Sequence, residues 1–137
     1  MIEWIVAIPF TEWNQQELNR IKPAMMHTLD WHDFGKHAQP VINSLVNKFS
    51  WKRTDLPMLS VVLPGDDIPP HVDLQDPNWL FRVHIPLTTN DQAFFNVNGV
   101  DHHMKIGCAY KVNTLDRHGI SNRGTTPRIH FMFDVLQ

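Results

Sequence analysis

The sequence predicts a mainly-β domain, a sandwich or barrel with an N-terminal layer of one strand and two helices packed on it. Three observations carry this reading. After residue 50 the chain breaks into short runs rich in aromatic and β-branched residues: "LPMLSVVLPG", "WLFRVHIPL", "QAFFNV", "HHMKIG", "CAYKVN", "HGISN" and "RIHFMFDV". Turn signals separate them, among them "PGDD", "TTND", "NVNG" and "NRGTTP". Two of the runs alternate strictly, with Phe81, Val83 and Ile85 on one face and Ile129, Phe131, Phe133 and Val135 on one face. Short strands at near-regular spacing are the pattern of a β-sandwich or barrel.

The elements follow in order. "EWIVAIPF" reads as a strand ending at Pro9. "TEWNQQELNRIK" reads as a helix, with Thr11 as N-cap, Trp13, Leu18 and Ile21 at loose helical spacing, and Pro23 ending it. "HTLDWHDFGKH" has little periodicity and is expected to be loop, which puts His27, His32 and His37 on the surface or in a lid. A second helix starts near Pro40, with Val41, Ile42, Leu45, Val46 and Phe49 as its apolar stripe. The division expected is one domain over 1–137, with 1–50 as the N-terminal layer and 51–137 as the β-barrel core.

The chain has 137 residues, enough to bury a sizeable core in one domain. A formal net charge of −2 gives no global field for nucleic acid or an acidic membrane. The N-terminus lacks a basic region ahead of its apolar run, so no signal peptide is read there. No run approaches the ~20 apolar residues that span a bilayer. Cys108 is the one cysteine, which excludes a disulfide within the monomer and favours a reducing compartment; the cytoplasm is the expected location.

The chemistry concentrates in a few residues. In "PPHVDL", His71 and Asp73 are two apart, so an extended segment points both the same way. Imidazole and carboxylate together suit Fe(II), Mn(II) or Zn(II), and His118 in "NTLDRHGISN" is the best third ligand. Such a triad occupies one face of an octahedron and leaves the other positions open. On its own H-x-D is equally a loop histidine beside a capping aspartate. The two R-x-H runs add weight, because Arg82 with His84, and Arg128 with His130, occupy the faces opposite the apolar ones. An unpaired guanidinium inside a small barrel costs several kcal/mol. Arg128 therefore needs an anion. Either a protein carboxylate such as Asp134 or Asp116 forms a structural ion pair with it, or a dicarboxylate ligand meets its planar fork.

From Ser60 to Val135 the chain resembles the aspartyl/asparaginyl β-hydroxylase family of Fe(II)- and 2-oxoglutarate-dependent oxygenases, which includes bacterial proline hydroxylases. The resemblance rests on "PHVD", "FRVH", "YKVNTLDRHGISN" and "RIHFMFD" in that order, over a little more than half of the chain. It implies a double-stranded β-helix, a jelly-roll or cupin-like barrel of two sheets, with the N-terminal helices buttressing one sheet. It implies iron ligands at His71, Asp73 and His118. It implies that Arg128 pairs with the distal carboxylate of 2-oxoglutarate, that Arg82 and His84 lie near its metal-binding end, and that Ser60 contacts it. Asp73 matches the carboxylate that the proline hydroxylases have and the animal peptide hydroxylases lack.

The activity implied is O2-dependent hydroxylation of an amino acid or a peptide or protein side chain of Asp, Asn or Pro type, with release of succinate and CO2. Two other readings stay open: a cupin-like metalloenzyme using the triad without 2-oxoglutarate, and a sensor or structural-metal module on the same barrel with no turnover. A monomer or homodimer is expected, with neither nucleic acid nor membrane as partner. Of the remaining residues, adjacent His102 and His103 face opposite ways on a strand and are read as exposed, near the barrel mouth at most. Trp79, Phe94 and Phe95 are read as packing. Cys108 is read as a buried small residue, Asn113 and Asn122 as orienting groups near His118, and Arg117 as pointing away from the metal.

Overall fold

The computed structural model describes residues 5–9, 31–74 and 76–137. The expected helix around Trp13, Leu18 and Ile21, and His27, lie outside the described residues. Within them the elements are β1 (Ile5–Pro9), α1 (Trp31–Phe49), β2 (Arg53–Val62), β3 (Asp67–His71), β4 (Trp79–Thr88), β5 (Ala93–Val97), β6 (Val100–His102), β7 (Cys108–Val112), β8 (His118–Asn122) and β9 (Arg128–Leu136). The strands form two antiparallel sheets. The major sheet runs β1-β7-β4-β9-β2 and the minor sheet β3-β8-β5-β6, which is the double-stranded β-helix. Among the described residues no helix is long and apolar enough to cross a membrane.

Alternation along β4 and β9 sorts the core into two layers. Val83, Ile85, Leu87, Phe131, Phe133 and Val135 leave the outer face of the major sheet and pack on Ala38, Val41, Ile42 and Leu45 of α1. Trp51 closes one end of this layer, stacked on Phe49 at 5.2 Å and edge-on to Phe81 at 5.3 Å. The inner layer, between the sheets, holds Val62, Phe95, Val97, Met104, Cys108, Tyr110, Val112 and Ile120. Arg82, His84, Arg128 and His130 belong to the inward faces, so their strands carry polar groups between the sheets without weakening the helix-side core.

Three local expectations need correction. α1 begins at Trp31, so "WHDFGKH" is helix and not loop, and His32 and His37 lie on it. Pro40 sits inside the helix and removes one intrahelical hydrogen bond. The buried stripe of Ala38, Val41, Ile42 and Leu45 runs across it, and packing overrides the local breaker. The strand expected in "HHMKIG" ends at His102 instead, because the "NVNG" turn sets the register. Asn98 and Gly99 both adopt positive φ and pair Val97 with Val100, a two-residue hairpin that fixes where β6 starts. β3 is a strand that the sequence hides behind two prolines.

Candidate metal centre

β3 brings the first histidine to the second. It pairs antiparallel with β8, with Ile68 opposite Ile120 and His71 opposite His118. Three steps along β3 match two along β8, so β3 carries one extra residue. Pro69 and Pro70 cause this, since neither has an N–H to give the ladder. The bulge also resets the side-chain parity. Ile68 packs on the inner cluster, and an unbroken strand would turn His71 to the opposite face. With the bulge, His71 points inward beside His118, their ring centroids 4.4 Å apart. Gly119 makes room for it: a Cβ there would stand 2.8 Å from the Ile68 carbonyl oxygen and 3.0 Å from the Pro70 nitrogen.

Asp73 completes the cluster from the connection after β3. Its backbone N–H donates to the Thr114 carbonyl at 3.2 Å, tying this connection to the loop before β8. Asp73 Oδ1 lies 3.1 Å from His71 Nε2, and Oδ2 lies 3.5 Å from His118 Nε2. One ligand atom from each residue falls within 4.8 Å of the others. Both imidazoles are oriented from behind: Nδ1 of His71 lies 2.8 Å from the Pro69 carbonyl, and Nδ1 of His118 lies 2.7 Å from the Asp116 carbonyl. A carbonyl only accepts, so each Nδ1 is a donor and Nε2 is turned toward the cluster. Two Nε2 atoms and a carboxylate face one another, an arrangement that a cation among them would stabilise. The donor set of two imidazoles and one carboxylate fits Fe(II). Phe95 stacks on His118 at 5.6 Å with an interplanar angle of 12° and holds the ring from the side. The triad opens outward through His71, whose side chain is 43% exposed, against 19% for Asp73 and 5% for His118.

A row of buried polar groups runs inward from this cluster. Arg82 donates to Asp134 through Nε at 2.7 Å and Nη2 at 3.1 Å, and to Asp73 Oδ2 through Nη1 at 3.3 Å. His84 Nδ1 stands 3.1 Å from His130 Nδ1, and Arg128 Nη2 stands 2.8 Å from the same nitrogen. A guanidinium only donates, so His130 Nδ1 accepts and His84 Nδ1 must carry its proton. Burial holds both imidazoles neutral, well below their ordinary range, and the charge of Arg128 pushes the same way. Arg128 Nη1 donates to Ser60 Oγ at 2.9 Å. Arg128 is 2% exposed, and burial pulls its pKa down to about 9, so it stays charged at neutral pH.

The structural ion pair considered for Arg128 is absent: among the described residues no carboxylate lies within 4.0 Å of it, and Asp134 is engaged by Arg82. A cavity of about 110 Å³ joins Ser60, Arg82 and His84 to the three triad residues. Arg128 stands behind Ser60 and His130, at a void of about 10 Å³. Larger open depressions of about 320 and 380 Å³ lie elsewhere on the surface and include none of the triad.

The structure thus brings together His71, Asp73, His118, Arg82, His84 and Ser60 around one cavity, with Arg128 buried behind it. His102 and His103 stay apart from it; His103 Nδ1 is 3.1 Å from the Ala93 carbonyl. Asn122 is fully buried, and its amide donates to the Val62 and Thr126 carbonyls, so it staples the β8–β9 turn and does not support the triad. Asn113 accepts from the Leu115 N–H at 3.1 Å and shapes the loop leading into His118. Arg117 is exposed and Cys108 is buried. Sequence reasoning missed two contributors, Phe95 against His118 and Asp134 against Arg82. The second had a signal in the acidic residue that follows the R-x-H motif on β9.

The description "Aspartyl/Asparaginyl beta-hydroxylase" belongs to the family profile that matches residues 10–137. The chain belongs to this family. Solved structures of similar fold include viral collagen prolyl hydroxylase of Paramecium Bursaria Chlorella virus-1, at 10% identity and TM-score 0.68 over 98% of this chain and 90% of that one. The same viral enzyme in its 2OG complex gives 0.62, at 12% identity over 97% and 96%. A Pseudomonas putida prolyl-4-hydroxylase matches at 11% identity and TM-score 0.61, over 97% and 88%. A 2OG-Fe(II) oxygenase-family oxidoreductase from Burkholderia pseudomallei matches at 18% and 0.55, over 73% of this chain and 58% of that one. At these identities the likeness establishes the fold of the β-hydroxylase family member described here and nothing finer. No curated protein matches the chain.

Proposed function

We propose that the chain is an Fe(II)- and 2-oxoglutarate-dependent dioxygenase that hydroxylates an amino acid or a peptide or protein side chain and releases succinate and CO2. The observation that carries the 2-oxoglutarate part is Arg128: a buried, charged guanidinium with no carboxylate partner among the described residues, hydrogen-bonded to Ser60, which lines the triad cavity. Family membership and the convergent His71, Asp73 and His118 support the metal part.

When bound, Fe(II) with 2-oxoglutarate and O2 supplies the oxidising chemistry. The residues do the rest. His71, Asp73 and His118 would hold three positions on one side of the ion and leave the others free. Arg128, with Ser60 beside it, would meet the distal carboxylate of 2-oxoglutarate with a charge-assisted contact. Arg82 and His84 would border its other end. Ile68, Phe95, Ile120 and Met132 give the cavity apolar walls that keep bulk water from the reacting groups. The substrate would enter over the exposed edge of His71.

The test is an anaerobic titration of metal-free protein with Fe(II) and then 2-oxoglutarate, followed by visible absorption. The expected result is a weak visible charge-transfer band, lost in His71→Ala and weakened in Arg128→Ala. Metal binding with no band would reject 2-oxoglutarate and favour a cupin-like use of the triad.

A further inference from the structure

We infer that Asp134 is a positioning residue for the metal centre, acting through Arg82 on the carboxylate of Asp73. The inference rests on reading the triad as a metal site. His71 and His118 sit on paired strands, and each has a backbone carbonyl behind its ring. Asp73 has neither support, because it lies in the connection between β3 and β4. From outside the triad, Arg82 donates to its carboxylate.

A guanidinium free to turn could take both carboxylate oxygens of Asp73 and draw them away from the histidines. Here Asp134 occupies the Nε–Nη2 side and fixes how the group is turned. Arg82 and Asp134 are direct cross-strand partners in the β4–β9 ladder, so their alignment is set by backbone pairing. Nε and one N–H of Nη2 are committed to the two oxygens of Asp134, which fixes the plane of the guanidinium and turns Nη1 toward Asp73. That single contact falls on Oδ2 and leaves Oδ1 facing His71. Asp134 is itself buried, and its charge balances that of Arg82, so the pair does not neutralise Asp73. Burial works against the Arg82 charge, but the hydrogen bonds and charge of Asp134, with the charge of Asp73, more than offset it and raise its pKa.

The test measures Mn(II) affinity calorimetrically, and Co(II) visible absorption, for full-length wild type, His118→Ala, Asp134→Asn, Arg82→Gln and the Asp134→Asn/Arg82→Gln double variant. Asp134→Asn is expected to lower Mn(II) affinity about 10- to 100-fold, the range for residues that orient metal ligands, and to change the Co(II) spectrum. In the Arg82→Gln background the same substitution should change affinity less than about twofold, because its route to Asp73 is gone. An equal loss in both backgrounds, or wild-type affinity in Asp134→Asn with only a lowered melting temperature, overturns the inference. Should Asp134→Asn not fold, Arg82→Gln and the double variant decide: equal affinities, both below wild type, support it, and wild-type affinity in both, or affinities that differ from each other, overturn it. Wild-type protein that binds no Mn(II), or binds it unchanged after His118→Ala, overturns the metal site itself and the inference with it.

Discussion

Gly119→Ala should damage the candidate centre without touching any ligand. The added Cβ would meet the Ile68 oxygen at 2.8 Å, the Pro70 nitrogen at 3.0 Å and the Pro69 carbonyl carbon at 3.2 Å, where ordinary contact begins near 3.4 Å. All three are backbone atoms of the β3 bulge, and two belong to prolines whose φ is fixed. No side chain can swing aside, so the bulge must move by on the order of half an ångström. Overpacking of this kind costs about 1–3 kcal/mol. The displacement passes directly to His71, the residue after Pro70, whose Nε2 stands 3.1 Å from Asp73. Ligand sets tolerate shifts of only about 0.5 Å, so metal affinity should fall by roughly tenfold or more. The assay pairs urea denaturation with Mn(II) calorimetry. Gly99→Ala is the control. Its Cβ would meet nothing within 4 Å, but its φ of +84° strains any L side chain. It should lose stability by about 1 kcal/mol and keep its metal affinity. Wild-type stability and affinity in Gly119→Ala would refute the bulge as the device that aims His71.

Three more outcomes follow from the buried polar row. Arg128→Met should leave the ligand-free protein as stable as wild type or more so, because it removes an uncompensated buried charge. It should abolish the stabilisation by 2-oxoglutarate, which for wild type at 100 times Kd is about 2.7 kcal/mol and is read as a shift in Tm. Folding stability should fall as pH drops below about 6.5, by up to about 1.4 kcal/mol per pH unit for each of His84 and His130. Both are held neutral when folded and protonate when unfolded, so the unfolded state gains protons first. Urea midpoints that stay flat from pH 7 to pH 5 would contradict this. Asn122→Ala should cost about 2–3 kcal/mol, since it takes away a side-chain donor to the Val62 carbonyl and the acceptor of the Gly124 N–H and the Asn90 amide, and it should not change Mn(II) affinity.

Much of this architecture was legible because strand periodicity is a local property. The alternation in β4 and β9 gave both the helix-side core and the inward R-x-H faces, and "NVNG" gave a hairpin. What stayed hidden depends on register. "DIPPH" reads as a breaker, yet its prolines create the bulge that turns His71 inward, an effect visible only once β8 is alongside. For the same reason the sequence offered Asp134 to Arg128, when the β4–β9 ladder sets it opposite Arg82. The early start of α1 stays hidden because Gly35 and Pro40 weaken the local helical signal, while around Pro40 the burial of Ala38, Val41, Ile42 and Leu45 supplies what propensity lacks. His71, Asp73 and His118 were readable as candidate ligands from residue type and spacing. Phe95 was not, since an aromatic residue in a strand carries no mark of the ring it will stack on.

The most direct measurement is aerobic turnover of 2-oxoglutarate by Fe(II)-loaded protein, with succinate quantified alone and with panels of free amino acids and of Asp-, Asn- and Pro-containing peptides. A 2-oxoglutarate-dependent dioxygenase should release succinate slowly by itself and faster with a substrate, in step with hydroxylated product, and lose this in His118→Ala and Arg128→Met. Protein that binds Fe(II) and 2-oxoglutarate yet yields no succinate above the His118→Ala background with any member of the panels would contradict the catalytic reading and leave a binding module on this barrel.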